Sequence, residues 1–289
     1  MPKALVNGIK IHYQRPGRGP DLVFLHGLAA NLGFWYFRIV PLLTGDYRVT
    51  AYDLRGHGLS DMPRSRYTSA DMAHDLRCLL DALGIERAHL VGHSFGGVVA
   101  LQFAALYPER VASLMIADSQ VGALQPVPRL REWPFWRSWK GELERHGISL
   151  GDDQELDFRL LERLAARPWR RDGPGAGAAS MLVPFGAWNG SRRGALRWLE
   201  LLRNTTARDD FRDEAGLTLA RIREVGHPTR AVYGEYSFCR PTCARLLEVL
   251  PRCDAVIVPR AGHFHPAARP GFFLRTLRDF LTDRAREGA

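Results

Sequence analysis

The sequence is poor in lysine, has no paired cysteine motif and lacks any long apolar run. Only three of its 40 basic residues are lysine (Lys3, Lys10 and Lys140), and the arginines are spread along the whole chain. No basic tail or basic block accompanies the net charge of +9. A nucleic-acid binder concentrates its cations on a motif or a face, so no nucleic-acid partner is expected. Cys78, Cys239, Cys243 and Cys253 form no C-x-x-C pair, and no histidine stands near them at zinc-finger spacing. Free buried thiols and no metal are therefore expected. No apolar stretch approaches the roughly 20 residues that a membrane span needs. Met1 to Gly8 also lacks the apolar core of a secretory signal. These features point to a cytoplasmic protein with no membrane partner. There is no internal repeat. With 46% hydrophobic and 25% charged residues, disorder is excluded, and the length suits one large domain carrying an insertion.

Several segments announce their structure. Ala4 to Val6 and Ile9 to Tyr13 flank Asn7-Gly8, a two-residue hairpin turn. Leu22 to Leu25, Arg48 to Tyr52, His89 to Val91 and Val111 to Ala117 are short apolar runs of the kind buried on both sheet faces. Helical stretches fall between them: Leu32 to Leu43, a helix capped by Thr68 with Asp71 as its box partner, and Val98 to Tyr107. Strand and helix alternate, which predicts an α/β fold with a mostly parallel central sheet and helices on both faces. Residues 121–225 break the alternation. They contain amphipathic helices, among them Asp153 to Ala166 and Arg193 to Asn204, a glycine-rich loop from Asp172 to Ser180, and six of the seven tryptophans. They read as an inserted helical cap between core segments 1–120 and 226–289. In the last segment, strands are expected at Thr229 to Tyr233 and Ala255 to Val258, and helices at Pro241 to Leu250 and Pro270 to Ala285.

The chemistry centres on Gly92-His93-Ser94-Phe95-Gly96, a G-x-S-x-G pattern between a strand and a helix. Small flanking residues let the chain turn sharply and hold the Ser94 hydroxyl at the sheet edge, where it can serve as a nucleophile. A hydroxyl nucleophile needs a base. His263, in Ala261-Gly262-His263-Phe264 after the last strand, is the candidate; His265 is its nearest rival. Acyl transfer also needs donors aimed at the developing oxyanion. The backbone N–H groups of Phe95 and of Leu28, in His26-Gly27-Leu28, are the expected pair.

Together these features resemble the α/β-hydrolase superfamily. The resemblance rests on four signatures in order: the His26-Gly27 loop, the D-x-R-G-x-G-x-S stretch from Asp53 to Ser60, the serine elbow and the late Gly262-His263. It implies Ser94 as nucleophile, His263 as base, Leu28 and Phe95 as oxyanion donors, and a structural role for Asp53 to Ser60. One position departs from the pattern. Most such hydrolases carry G-x-x-D after the penultimate strand, and here that stretch is Gly234-Glu235-Tyr236-Ser237. Serine cannot stabilise an imidazolium as a carboxylate does. Asp118, at the end of the strand after the nucleophile helix, resembles the acid of one haloalkane dehalogenase branch and is the preferred third member. Glu235 is the runner-up. A serine at position 94 sets the chain apart from dehalogenases and epoxide hydrolases, which use carboxylate nucleophiles.

Trp35, Trp133, Trp136 and Trp188 are candidate pocket residues, which would suit a bulky apolar substrate. The expected activity is hydrolysis of an ester, thioester or lactone through an acyl-serine intermediate, with no cofactor. The same site could cleave carbon–carbon bonds, transfer acyl groups or cyclise a chain bound to coenzyme A or an acyl carrier protein, a partner that the positive charge would attract. A non-catalytic ligand-binding protein is the reading of another class.

Overall fold

The computed structural model describes residues 1–145, 149–166, 191–213 and 215–287. Its strands are β1 (Lys3–Val6), β2 (Ile9–Gln14), β3 (Asp21–Leu25), β4 (Arg48–Tyr52), β5 (Ala88–His93), β6 (Val111–Ala117), β7 (Thr229–Gly234) and β8 (Cys253–Val258). They form one sheet in the order β1-β2-β4-β3-β5-β6-β7-β8. β1 and β2 pair antiparallel, as do β2 and β4; every other pair is parallel. The β1–β2 hairpin turns at Asn7 and Gly8, both with positive φ (48° and 77°), as its two-residue connection requires.

Period-two alternation divides each central strand between two cores. Val23 and Leu25 of β3, Leu90 of β5, and Leu114 and Ile116 of β6 join one apolar cluster, with Met72, Leu76, Val99 and Phe103. Leu22 and Phe24, Val91, and Met115 and Ala117 face the other, with Trp35, Phe273, Leu277 and Phe280. Helices therefore cover both faces, as the unbroken apolar runs require.

Three helices belong to the first half. The first, α1 (Gly33–Tyr36), is one turn long. The Leu32 to Leu43 helix expected from sequence does not form: after α1 only a 3₁₀ turn follows, at Val40–Leu42. Pro41 supplies no N–H for a continuous helix and restricts the residue before it. The second, α2 (Ser69–Ala82), has the expected Thr68–Asp71 capping box. The third, α3 (Phe95–Leu106), starts directly at Ser94.

Between β6 and β7 the described residues form no strand beyond an isolated bridge between Arg129 and Glu155. They contain α4 (Trp136–Arg145), α5 (Phe158–Ala165) and a helix at Ser191–Asn204. The α5 helix begins later than the expected Asp153, because Asp157 accepts from the Arg159 N–H (2.9 Å) and so caps it. The glycine-rich loop and Trp188 lie outside the described residues. Among the described residues no helix is long and apolar enough to cross a membrane.

The Asp53 to Ser60 stretch is a buried brace. Asp53 accepts from Leu32 N–H (2.7 Å) and Leu59 N–H (2.8 Å) and pairs with His12 Nδ1 at 2.7 Å. Arg55 donates two hydrogen bonds to Asp75. Burial holds His57 down at about 3 and His265 at about 4. Both rings are thus neutral in the fold at neutral pH, whereas in an unfolded chain each titrates near about 6.5. As pH falls through that value the unfolded state gains protons that the folded state does not. Stability should drop by about 1.4 kcal/mol per pH unit for each ring until the folded values are reached. Melting temperatures measured from neutral pH down to about pH 4 should fall steeply, and His265→Gln should flatten the slope. An unchanged slope in that variant would contradict this origin.

Candidate active site

Parallel register brings four strand ends to one edge. Leu25 of β3 pairs with Gly92 of β5, His93 pairs with Ala117 of β6, and Ala117 pairs with Val232 of β7. Ladder bonds run one residue further: Ser94 N–H donates to Ala117 O (2.9 Å) and Asp118 N–H to Val232 O (3.0 Å). Leu28, Ser94, Asp118 and the loop after β7 consequently gather on the same edge. The loop after β8 brings His263 to them.

Ser94 sits at φ 54°, ψ −126°, between β5 and α3. A non-glycine residue held there is strained and persists only where its surroundings fix it. Two glycines do so. A methyl group on Gly96 would stand 2.5 Å from the carbonyl oxygens of Leu25 and His26. One on Gly27 would stand 2.8 Å from the Ser94 Cβ. Both loops can pack against the serine only without those side chains. The N–H groups of Leu28 and Phe95 donate to no protein acceptor among the described residues, and both residues line the cavity that Ser94 enters.

His263 Nδ1 lies 3.1 Å from Asp118 Oδ1. Asp118 is fully buried and has positive φ. Its carboxylate is solvated by protein: Gly234 N–H donates to Oδ2 at 2.7 Å, and the Ser237 hydroxyl donates to Oδ1. Cys239 N–H donates in turn to Ser237 Oγ (3.0 Å). Ser237, at the position where the resemblance led us to expect the acid, thus serves as a donor to a carboxylate on the neighbouring strand. The sequence marked this position as a departure but not its hydrogen-bonding role.

Glu235 is exposed and accepts from Arg260 N–H at 2.7 Å, so it does not meet His263. His265 is buried, and its Nε2–H donates to Val232 O at 3.0 Å; it packs on the far side of Asp118, 3.5 Å from Oδ2. His93 is buried, with its pKa held well below the usual histidine range by that burial. Its Nε2–H donates to the His263 carbonyl at 2.9 Å and fixes that loop. Cys239, whose position carried no signal in the motif, lies with Sγ 3.7 Å from His263 Nδ1. Burial pushes its thiol pKa well up.

Ser94 and His263 share a cavity of about 340 Å³. Its aromatic wall is phenyl, from Phe95, Phe158, Phe211, Phe238 and Phe264. Of the tryptophans proposed from sequence, the three described ones, Trp35, Trp133 and Trp136, are elsewhere. Trp35 is fully buried between Phe24 and Phe273, with ring centroids 5.0 and 5.4 Å away. Trp133 donates its indole N–H to Tyr236 O (3.1 Å), and Trp136 donates to Asp152 (2.7 Å). Both are buried in the insertion and away from the cavity.

Comparison with known proteins gives concordant relationships. A family described as the alpha/beta hydrolase fold matches residues 20–144. A protein of Variovorax paradoxus strain S110, named for carbamate hydrolysis, is 41% identical over 276 residues, covering 94% of this chain and 96% of that protein. Epoxide hydrolase 3 of Siraitia grosvenorii is 36% identical over 179 residues. That match covers 56% of this chain, and the chain spans only about half (55%) of the plant protein's length. Among solved structures, an N-acyl homoserine lactone degrading enzyme superposes with a TM-score of 0.65 at 28% identity, covering 96% of this chain and 100% of the other.

Gly96→Ala should reduce unfolding free energy by about 1–3 kcal/mol through overpacking against the β3 end. Denaturant unfolding would measure it, and a change near zero would mean that the close approach is not needed.

Proposed function

The chain belongs to the α/β-hydrolase superfamily, and from that premise we propose that it is a serine hydrolase acting on an ester, thioester or lactone with an apolar acyl or alcohol part. The observation that carries the reading is the strained Ser94 turn opening onto one cavity with His263, whose Nδ1 lies 3.1 Å from the buried Asp118 carboxylate.

The chemistry follows from these positions. Asp118 accepts the Nδ1–H of His263, which fixes the tautomer and leaves Nε2 as base. Nε2 takes the Ser94 proton while Oγ attacks the substrate carbonyl carbon. Negative charge develops on the carbonyl oxygen, and the free N–H groups of Leu28 and Phe95 receive it. The imidazolium returns the proton to the leaving group, giving an acyl-serine. Water, deprotonated by the same nitrogen, then releases the acid. Ser237 and Gly234 keep Asp118 oriented through these steps. The phenyl-lined wall favours an apolar substrate portion, and residues 121–225 act as the cap that supplies part of it.

The carbamate-hydrolase name of one relative and the lactone-degrading title of one structural neighbour support attack at a carbonyl. An epoxide hydrolase and a fluoroacetate dehalogenase are also similar. Ser94, standing where those chemistries use a carboxylate, weighs against carrying either over.

Ser94→Ala should abolish p-nitrophenyl ester turnover with the melting temperature retained. Intact-mass spectrometry should find one organophosphonate adduct on the parent protein and none on the variant. Asp118→Asn should cost about 10⁴-fold in kcat, and Glu235→Gln should leave turnover near the parent value. An unmodified but folded parent protein would refute an activated serine; the reverse order of the carboxylate variants would move the acid to Glu235.

A further inference from the structure

We propose that Asp118, His263 and Cys239 form a zinc site that arrests the enzyme. The inhibition rests on the serine-hydrolase reading, whereas the metal site rests on geometry alone. One oxygen, one nitrogen and one sulfur from these buried side chains lie within 4.8 Å of one another. The Asp118 Oδ1 to His263 Nδ1 separation is 3.1 Å, and the Nδ1 to Cys239 Sγ separation is 3.7 Å. Tetrahedral zinc, with bonds of about 2.0 Å to nitrogen and oxygen and about 2.3 Å to sulfur, places its ligands at about these distances. The ion would fit between the three atoms, the Asp118 oxygen and the Cys239 sulfur lying within 4.8 Å of each other. It also offers the donor set zinc prefers: imidazole, thiolate and carboxylate. Cys239 and His263 line the cavity, from which the ion would enter.

Cys239 is a buried nucleophilic group that the hydrolytic mechanism does not use. It comes from the loop after β7, two residues beyond the serine that supports Asp118. Replacing the usual carboxylate there brings a thiol, through the Ser237–Cys239 turn, against the opposite ring nitrogen from the one that acts as base.

The proton balance explains the arrest. In the working tautomer, Nδ1 carries hydrogen toward Asp118 and Nε2 is bare. Zinc needs the Nδ1 lone pair, so that proton moves to Nε2. The thiol proton is released to solvent, and sulfur binds as thiolate. Nε2 then bears hydrogen and cannot accept the Ser94 proton, while Asp118 is occupied by the ion. No bond to substrate is involved, and a chelator reverses the state by removing the ion: the ring proton returns from Nε2 to Nδ1 and solvent reprotonates the thiolate.

The test uses the full chain purified with chelator, with added zinc or cobalt chloride. Micromolar zinc should lower ester turnover about tenfold or more, and excess chelator should restore it. Cobalt should produce the intense near-ultraviolet absorption of a thiolate-bound ion. Cys239→Ala and Cys239→Ser, each compared with its own metal-free rate, should lose the cobalt absorption and resist zinc. Absence of the absorption in the parent protein overturns the proposal. Equal zinc inhibition in both cysteine variants overturns it too, because the ion then acts elsewhere. Cobalt absorption in a protein without ester turnover would uphold the site and count against the hydrolase reading.

Discussion

A carboxylate removed from water must find its solvation inside the protein, and the arrangement around Asp118 follows from that requirement. An isolated buried charge is costly, and the cost is offset only when hydrogen bonds surround it. Asp118 obtains them from three segments: the Gly234 N–H at the end of β7, the Ser237 hydroxyl in the following turn and the His263 ring after β8. All three are distant from Asp118 in sequence, by 116, 119 and 145 residues, so the buried charge ties the C-terminal third of the chain to the end of β6. Moving a carboxylate from the loop after β7 to the end of β6 therefore does not leave a gap. The vacated position becomes a donor, and the polarity of the contact between the two strands is inverted.

Such an exchange is possible because parallel strands in register end at the same height. β6 and β7 are hydrogen-bonded neighbours, and Asp118 N–H itself continues the ladder to Val232. A side chain starting from either strand end can reach the same ring nitrogen. Ser94 has no such latitude. The Ser94 backbone is fixed in an uncommon conformation by contacts that tolerate no Cβ at Gly96 and hardly any at Gly27. The serine is pinned by backbone sterics, whereas the Asp118 carboxylate is located by electrostatics, which accepts more than one origin.

That difference explains what was legible beforehand. Backbone constraints leave glycine spacing and period-two apolar runs in the sequence, so the sheet, the hairpin at Asn7-Gly8 and the Ser94 turn could be read directly. The Asp118–His263 approach could be anticipated because Ser237 stood where a carboxylate was expected. The helix after β3 was misread because apolar periodicity from Leu32 to Leu43 was weighted over Pro41, which no continuous helix through that stretch can hold; α1 stops already at Tyr36. Its apolar residues are buried all the same, in short turns. The hydrogen bond from Ser237, the anchoring of the His263 loop by His93 and the thiol of Cys239 left no sequence pattern. Each depends on which residues the β7 and β8 loops bring together.

The tryptophans show why pocket residues were hardest to read. Composition placed aromatic mass in the insertion, and large indoles invite assignment to a substrate wall. A buried indole usually finds a partner for its N–H; those of Trp133 and Trp136 have one, a carbonyl and a carboxylate, whereas those of Trp35 and Trp198 are buried with none among the described residues. Trp198 stacks on Phe211 with centroids 5.8 Å apart and planes 11° from parallel, so its bulk backs a residue that does face the cavity. Phenylalanine has no polar group to satisfy and can face an apolar ligand without leaving a donor stranded. The framework is thus built from indoles and the cavity wall from phenyl rings. The phenyl rings select by shape and area, and Gln120, Asp157, Arg212 and Asp213 bring polar groups to the same lining.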